Sequence, residues 1–121
     1  MAGEKMREFL FALVVIFGFV SVAGAQTVRF ICTNSVGAPE RVEVDFGRKT
    51  VLEFNDHQGR IEPEDTSAPA IISEASISWP DTFDGTKYSI DRASGVLKKW
   101  FEGSALYTKQ CRSLPTGSSW Q

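Results

Sequence analysis

Turn-forming clusters of Ser, Gly, Pro, Asn and Asp recur about every eight to twelve residues from Asn34 onward, and this punctuation constrains the fold more than any other feature. The segments it leaves are short and rich in Val, Ile, Phe, Tyr, Trp and Thr. Such segments are too brief for ordinary helices and have the composition of strands. The spacing predicts an all-β fold: a small antiparallel β-barrel or meander of about seven or eight strands.

The individual segments agree with that reading. In 27–33, TVRFICT, alternation puts Val28, Phe30 and Cys32 on one side, with Ile31 blurring the pattern. In ERVEVDF, Val42, Val44 and Phe46 alternate with Glu43 and Asp45, the pattern of a half-buried strand. Gly47-Arg48-Lys49 reads as a tight reversal into TVLEF, and NDHQG, 55–59, as the next turn. Pro63 and Pro69 limit any strand between them to a few residues near Ile61. IISEASISW reads as one strand with Ile71, Ser73, Ala75, Ile77 and Trp79 on a shared face, which Pro80 either ends or forces to the sheet edge. KYSID, VLKKWFE and ALYTKQC then form three antiparallel strands, the last two joined by a two-residue turn at Gly103-Ser104. A short helix over SGVLKKWFEG is the competing reading, because Val96, Leu97, Trp100 and Phe101 also recur with helical spacing.

The first 25 residues carry Lys5 and Arg7, then the apolar run FLFALVVIFGFVSV, then Ala23-Gly24-Ala25, the order of a signal peptide cleaved after Ala25. The run is shorter than the roughly 20 apolar residues a membrane span requires. The expected organisation is therefore a signal peptide at 1–25, a β domain at 26–112 and a flexible tail at 113–121, in which Trp120 could fold back as a plug. Export leads to a periplasmic or secreted location, without a stable membrane anchor after cleavage. Only two cysteines are present, Cys32 and Cys111, and in an oxidising compartment they are expected to pair. Closing a loop of about 80 residues removes roughly 4 to 5 kcal/mol of entropy from the unfolded chain on the chain-entropy model.

Charge is nearly balanced but split along the chain, with acids concentrated between Glu40 and Asp91 and bases between Arg92 and Arg112. Without clustered Arg and interleaved aromatics, nucleic acid is not an expected partner. His57 is the single histidine, and it falls in a turn with no nucleophile pattern near it. No catalytic residue, metal ligand or cofactor site is assigned: Asp81, Asp84, Glu62, Glu64 and Asp65 are acidic loop residues without the spacing of a calcium loop. The aromatic residues Trp79, Phe83, Tyr88, Trp100, Phe101 and Tyr107 form either a core or a recognition surface. Adjacent Trp100 and Phe101 cannot share one face of a regular strand, so one points outward or a bulge lies there. Lys98 and Lys99 beside them would attract an acidic partner.

The segment Tyr88 to Gly95, YSIDRASG, together with the leader, an early cysteine and a late one, resembles a layout of small secreted or periplasmic proteobacterial proteins without an assigned function. More distantly the arrangement is similar to the β-barrel inhibitors of c-type lysozyme, which carry a terminal cysteine pair and a late Ser-Gly segment that enters the enzyme cleft. That similarity implies Tyr88, Arg92 and Ser94 as residues to test. Here Val96, not Tyr, follows Ser94-Gly95. Together these readings give a non-catalytic binding protein for a protein or envelope component, acting through Tyr88, Arg92, Ser94, Lys98, Lys99, Trp100 and Phe101. A structural or stress-related envelope protein and a lysozyme-inhibitor-like protein are the alternatives.

Overall fold

The computed structural model describes residues 26–81, 83–115 and 117–120. The leader at 1–25 and its cleavage point lie outside the described residues. Among the described residues all regular structure is β, in ten strands: β1 (Thr27–Thr33), β2 (Glu40–Asp45), β3 (Thr50–His57), β4 (Arg60–Pro63), β5 (Ala68–Pro69), β6 (Ile71–Ile72), β7 (Ser76–Pro80), β8 (Lys87–Asp91), β9 (Val96–Phe101) and β10 (Ser104–Leu114). They form one antiparallel sheet in the order β4-β3-β2-β1-β10-β9-β8-β7-β6, with β5 paired to β3 off this path. The sheet curls into a half-barrel.

This order is two meanders, β1 to β4 and β6 to β10, joined where β1 meets β10. At that seam Cys32 lies directly across from Cys111 and the two form a disulfide. The covalent bond thus reinforces the one ladder in the sheet that joins strands 79 residues apart at the cystine. On the concave face, alternation works as the sequence predicts. Cys32, Val42, Val44, Val51, Ala68, Ile77, Trp79, Tyr88, Ile90, Leu97 and Cys111 form the core, with Phe30, Phe46, Ala70 and Ile72 packed against it. Removing such side chains from water, at about 25 cal/mol per Å², drives the curl, because a flat sheet would leave this face wet.

Several details differ from the sequence reading. IISEASISW is a hairpin, not one strand: the Ser73 side chain accepts from the amides of Ala75 and Ser76, reversing the chain between β6 and β7. Ile72 then pairs with Ile77, and Ile71 is 77 % exposed. The β3–β4 turn is Gln58-Gly59, since His57 pairs with Arg60; both turn residues have positive φ, as a type I′ hairpin requires. The β9–β10 turn is Glu102-Gly103, with φ values of 50° and 85°, and Ser104 is already paired with Phe101. VLKKWFE, by contrast, is strand over Val96–Phe101, as predicted from the sequence, and the competing helix is not formed; the irregularity expected near Trp100 falls on the facing strand at Leu106.

Ser113 and Leu114 belong to β10, and beyond them Trp120 packs on the convex side with 8 % of its surface exposed. Arg29 packs beside a pair of rings there, 4.6 Å from the Trp120 centroid and 5.4 Å from that of Phe54, the two rings themselves being 4.8 Å apart. It also donates to the Ser118 carbonyl at 2.8 Å and to Glu43 at 2.9 Å. An arginine that donates to Ser118 and Glu43 and packs against the Phe54–Trp120 pair ties these tail residues to β1.

Candidate functional site

The concave face changes character along its length. Around Val44, Ile77, Ile90 and Leu97 it is apolar, whereas the end bounded by the start of β2 and β8 and the end of β9 is lined by charge. A cavity of about 400 Å³ opens there, with Glu40, Glu53, Glu64, Asp81, Tyr88, Lys99, Tyr107 and Lys109 among its walls. Strand alternation explains the placement. Glu40 and Glu53 continue the inward rows of Val42, Val44 and Val51, and Lys99 and Lys109 those of Leu97 and Cys111.

Two sub-clusters in this mouth repeat one arrangement. The Tyr88 hydroxyl donates to Asp81 at 3.1 Å, and Lys99 lies 3.9 Å from the same carboxylate and 5.0 Å from the Tyr88 ring centroid. Correspondingly, the Tyr107 hydroxyl donates to Glu40 at 2.8 Å, and Lys109 lies 3.2 Å from that carboxylate and 5.1 Å from the Tyr107 ring. Lys109, 8 % exposed, also donates to the Ala38 carbonyl. Each lysine is held by a carboxylate and an aromatic face, and each of Asp81 and Glu40 also accepts a hydrogen bond from a phenol O–H. Burial raises both phenol pKa values, and the nearby carboxylates add to the shift.

Glu53 is the third inward carboxylate and differs from the other two. Its aromatic donor is the Trp79 indole N–H at 3.4 Å, reaching across from β7 to β3, and among the described residues no lysine or arginine forms an ion pair with it. Burial raises its pKa to about 7, and the charges of Glu64, Asp81 and Glu40 push in the same direction. Glu64 accepts from the Asn55 side chain at 2.8 Å and likewise has no ion pair among the described residues. These carboxylates are not gathered closely enough to form a metal-type cluster among the described residues.

The residues singled out in the sequence are distributed over three regions. Tyr88 and Lys99 come together in the mouth. Arg92 is at the far end of β8, where it donates to the Ser73 carbonyl at 2.6 Å and lies over Phe46. Ser94 shapes the β8–β9 turn, its hydroxyl accepting from Val96 N and its carbonyl from the Gln110 side chain. Lys98 and Trp100 are on the convex side, with Lys98 over the indole and the indole N–H on Ser89. Phe101 is 42 % exposed at the strand end. The six aromatic residues divide similarly: Trp79 and Tyr88 are core, Tyr107 and Trp100 are half-buried on different faces, and Phe83 and Phe101 are exposed.

Asp81 and Asp84 are engaged in holding their own loop. Asp81 accepts from the amides of Phe83 and Asp84, and Asp84 from both the amide and hydroxyl of Thr86. The Thr86 hydrogen bonds hold the Asp84 pKa down at about 2, with Lys99 at 3.3 Å assisting. Glu40, Glu53, Tyr107 and Lys109 were not singled out together by the sequence, although the polar positions Glu40 and Glu53 in register with buried valines carried a signal. A charge on the core-facing row of a strand is unusual unless something pairs with it. Comparison with known proteins adds no relative: no family model, curated protein or solved structure matches the chain.

Proposed function

We propose that the protein is a non-catalytic binding module that works outside the cytoplasm and takes its ligand in the polar mouth of the half-barrel. The observation that carries this reading is Glu53: an inward, partly buried carboxylate on a cavity wall, without an ion-pair partner among the described residues. Leaving such a group desolvated costs stability, and a binding role explains why the cost is borne. The disulfide and the signal-like leader support an exported, oxidising setting, periplasmic or extracellular. The hairpin surface around Lys98, Trp100 and Phe101 is the less favoured face, because its cations and rings are dispersed over both sides of β9.

Glu53 also supports a second reading, acid–base catalysis, since a carboxyl with a pKa near 7 in a cleft suits a general acid. His57 contributes nothing to it, being exposed at the tip of the β3–β4 hairpin. Screening the oxidised protein against envelope extracts by NMR, with the Trp79 indole resonance as reporter, tests both readings. Saturable shifts at Trp79 and Tyr107 with the ligand recovered unchanged support binding. Conversion of the ligand, abolished in Glu53→Gln, would instead support catalysis, and shifts confined to Trp100 would move the site to the convex face.

A further inference from the structure

Resting on the reading of the mouth as a binding site, we infer that Glu53 receives a cationic group from the ligand, a primary ammonium presented by an amine or by a lysine side chain. The argument is internal to the molecule. Twice in this cavity a carboxylate, an aromatic hydrogen-bond donor and an ammonium come together: Asp81 with Tyr88 and Lys99, and Glu40 with Tyr107 and Lys109. The third carboxylate, Glu53, has its aromatic donor in Trp79 and no ammonium among the described residues. Because the two lysines are committed to other carboxylates, neither neutralises it.

Charge balance points the same way. Glu40, Glu53, Glu64 and Asp81 line the cavity against Lys99, Lys109 and Arg41, four acids to three bases. Arg41 stands on the register opposite to Glu40 and Val42, so it does not belong to their inward row. The excess of negative charge sits on the β3 side, where Glu53 and Glu64 are neighbours in the ladder region and repel one another. A cation entering there relieves that repulsion, whereas an anion would add to it. A metal ion is a poorer match, because no group of three or more metal-type ligands is assembled among the described residues. The ammonium, by contrast, needs one carboxylate and neighbouring acceptors. A cavity of about 400 Å³ accommodates an alkylammonium chain of side-chain size.

The test is an NMR titration of the oxidised protein at pH 8, above the Glu53 pKa, with propylamine, 1-propanol and propionate as probes of equal size and different charge. The expected result is a saturable shift of the Trp79 indole resonance with propylamine alone, weakened at least tenfold in Glu53→Gln. The glutamine keeps an oxygen to accept from Trp79, so loss of binding would not be loss of fold, and an unchanged Tyr107 environment checks this. Spermidine and a blocked Gly-Lys-Gly peptide form the second arm; a tenfold preference for either identifies the source of the amine, and equal binding assigns recognition to the ammonium group itself. Equal propylamine binding by wild type and Glu53→Gln, or no Trp79 shift with any amine, overturns the inference. If propanol or propionate shifts Tyr107 and Lys99 while the amines do not, the mouth is a binding site for a different class and only the ammonium is wrong.

Discussion

Glu53 makes stability depend on pH in a direction opposite to that of a salt-bridged carboxylate. Its pKa rises from 4.5 to about 7 on folding, so between those values the native state holds more protons than the unfolded one. The stabilising effect of the neutral form is fully present below pH 4.5 and is lost as pH rises to about 7. In urea melts, Glu53→Gln should remove this decline and exceed wild type at pH 8 by roughly 1 to 3 kcal/mol, after allowing for solvent screening. A variant no more stable at pH 8 than at pH 5, relative to wild type, would contradict the assignment. Gly95 makes a second prediction at this scale. Its φ is 77°, and a Cβ would lie 2.9 Å from Gln110 Nε2 and 3.1 Å from the Cys111 carbonyl oxygen. Gly95→Ala should therefore cost about 1 to 3 kcal/mol, read as a lowered urea midpoint with an unchanged slope. The Ser-Gly segment thereby has a local explanation: Gly95 accepts from Cys111 N and donates to the Asp91 carbonyl, so it fits β10 against the turn.

At the scale of elements, β10 and the tail after it depend on Arg29. Truncation after Leu114 removes Trp120 and Ser118, taking from the guanidinium the nearer of its two rings and leaving one N–H without its carbonyl. Thermal melts should show a loss of about 1 to 2 kcal/mol with the β-sheet circular dichroism retained, and the Glu43 pair should not compensate. Strands were legible in the sequence wherever one face is buried, as in ERVEVDF, because alternation records burial directly. The split of IISEASISW was not legible: Ile71, Ser73, Ala75, Ile77 and Trp79 fit one face, and only the Ser73 side chain bonding to two following amides reveals the reversal. Turn boundaries shifted for a related reason, since Gln58 and Glu102 adopt positive φ without the usual preference for it. The mouth was partly legible, through Tyr88 and Lys99. Its remainder depends on pairings such as Tyr107 with Glu40, separated by 67 residues, which local pattern does not specify.

For the whole molecule, the seam between β1 and β10 carries both the disulfide and the longest-range pairing in the sheet. Replacing Cys32 and Cys111 together by serine should lower stability by about 3 to 5 kcal/mol in chemical denaturation, with much of the loss acting through the freer unfolded chain. The mixing of charge is also a property of the whole fold. An acidic half and a basic third that are separate in sequence interlock in space, with Lys99 on Asp81 and Asp84 and Lys109 on Glu40. The two meanders have a further consequence for covalent continuity. Their exposed connection includes Asp65, Thr66 and Ser67, yet the halves on either side are stitched together elsewhere, by the β1–β10 ladder and its cystine. A backbone nick at Thr66 would leave two fragments that travel as one particle, and a thiol reductant would be needed to free one from the other.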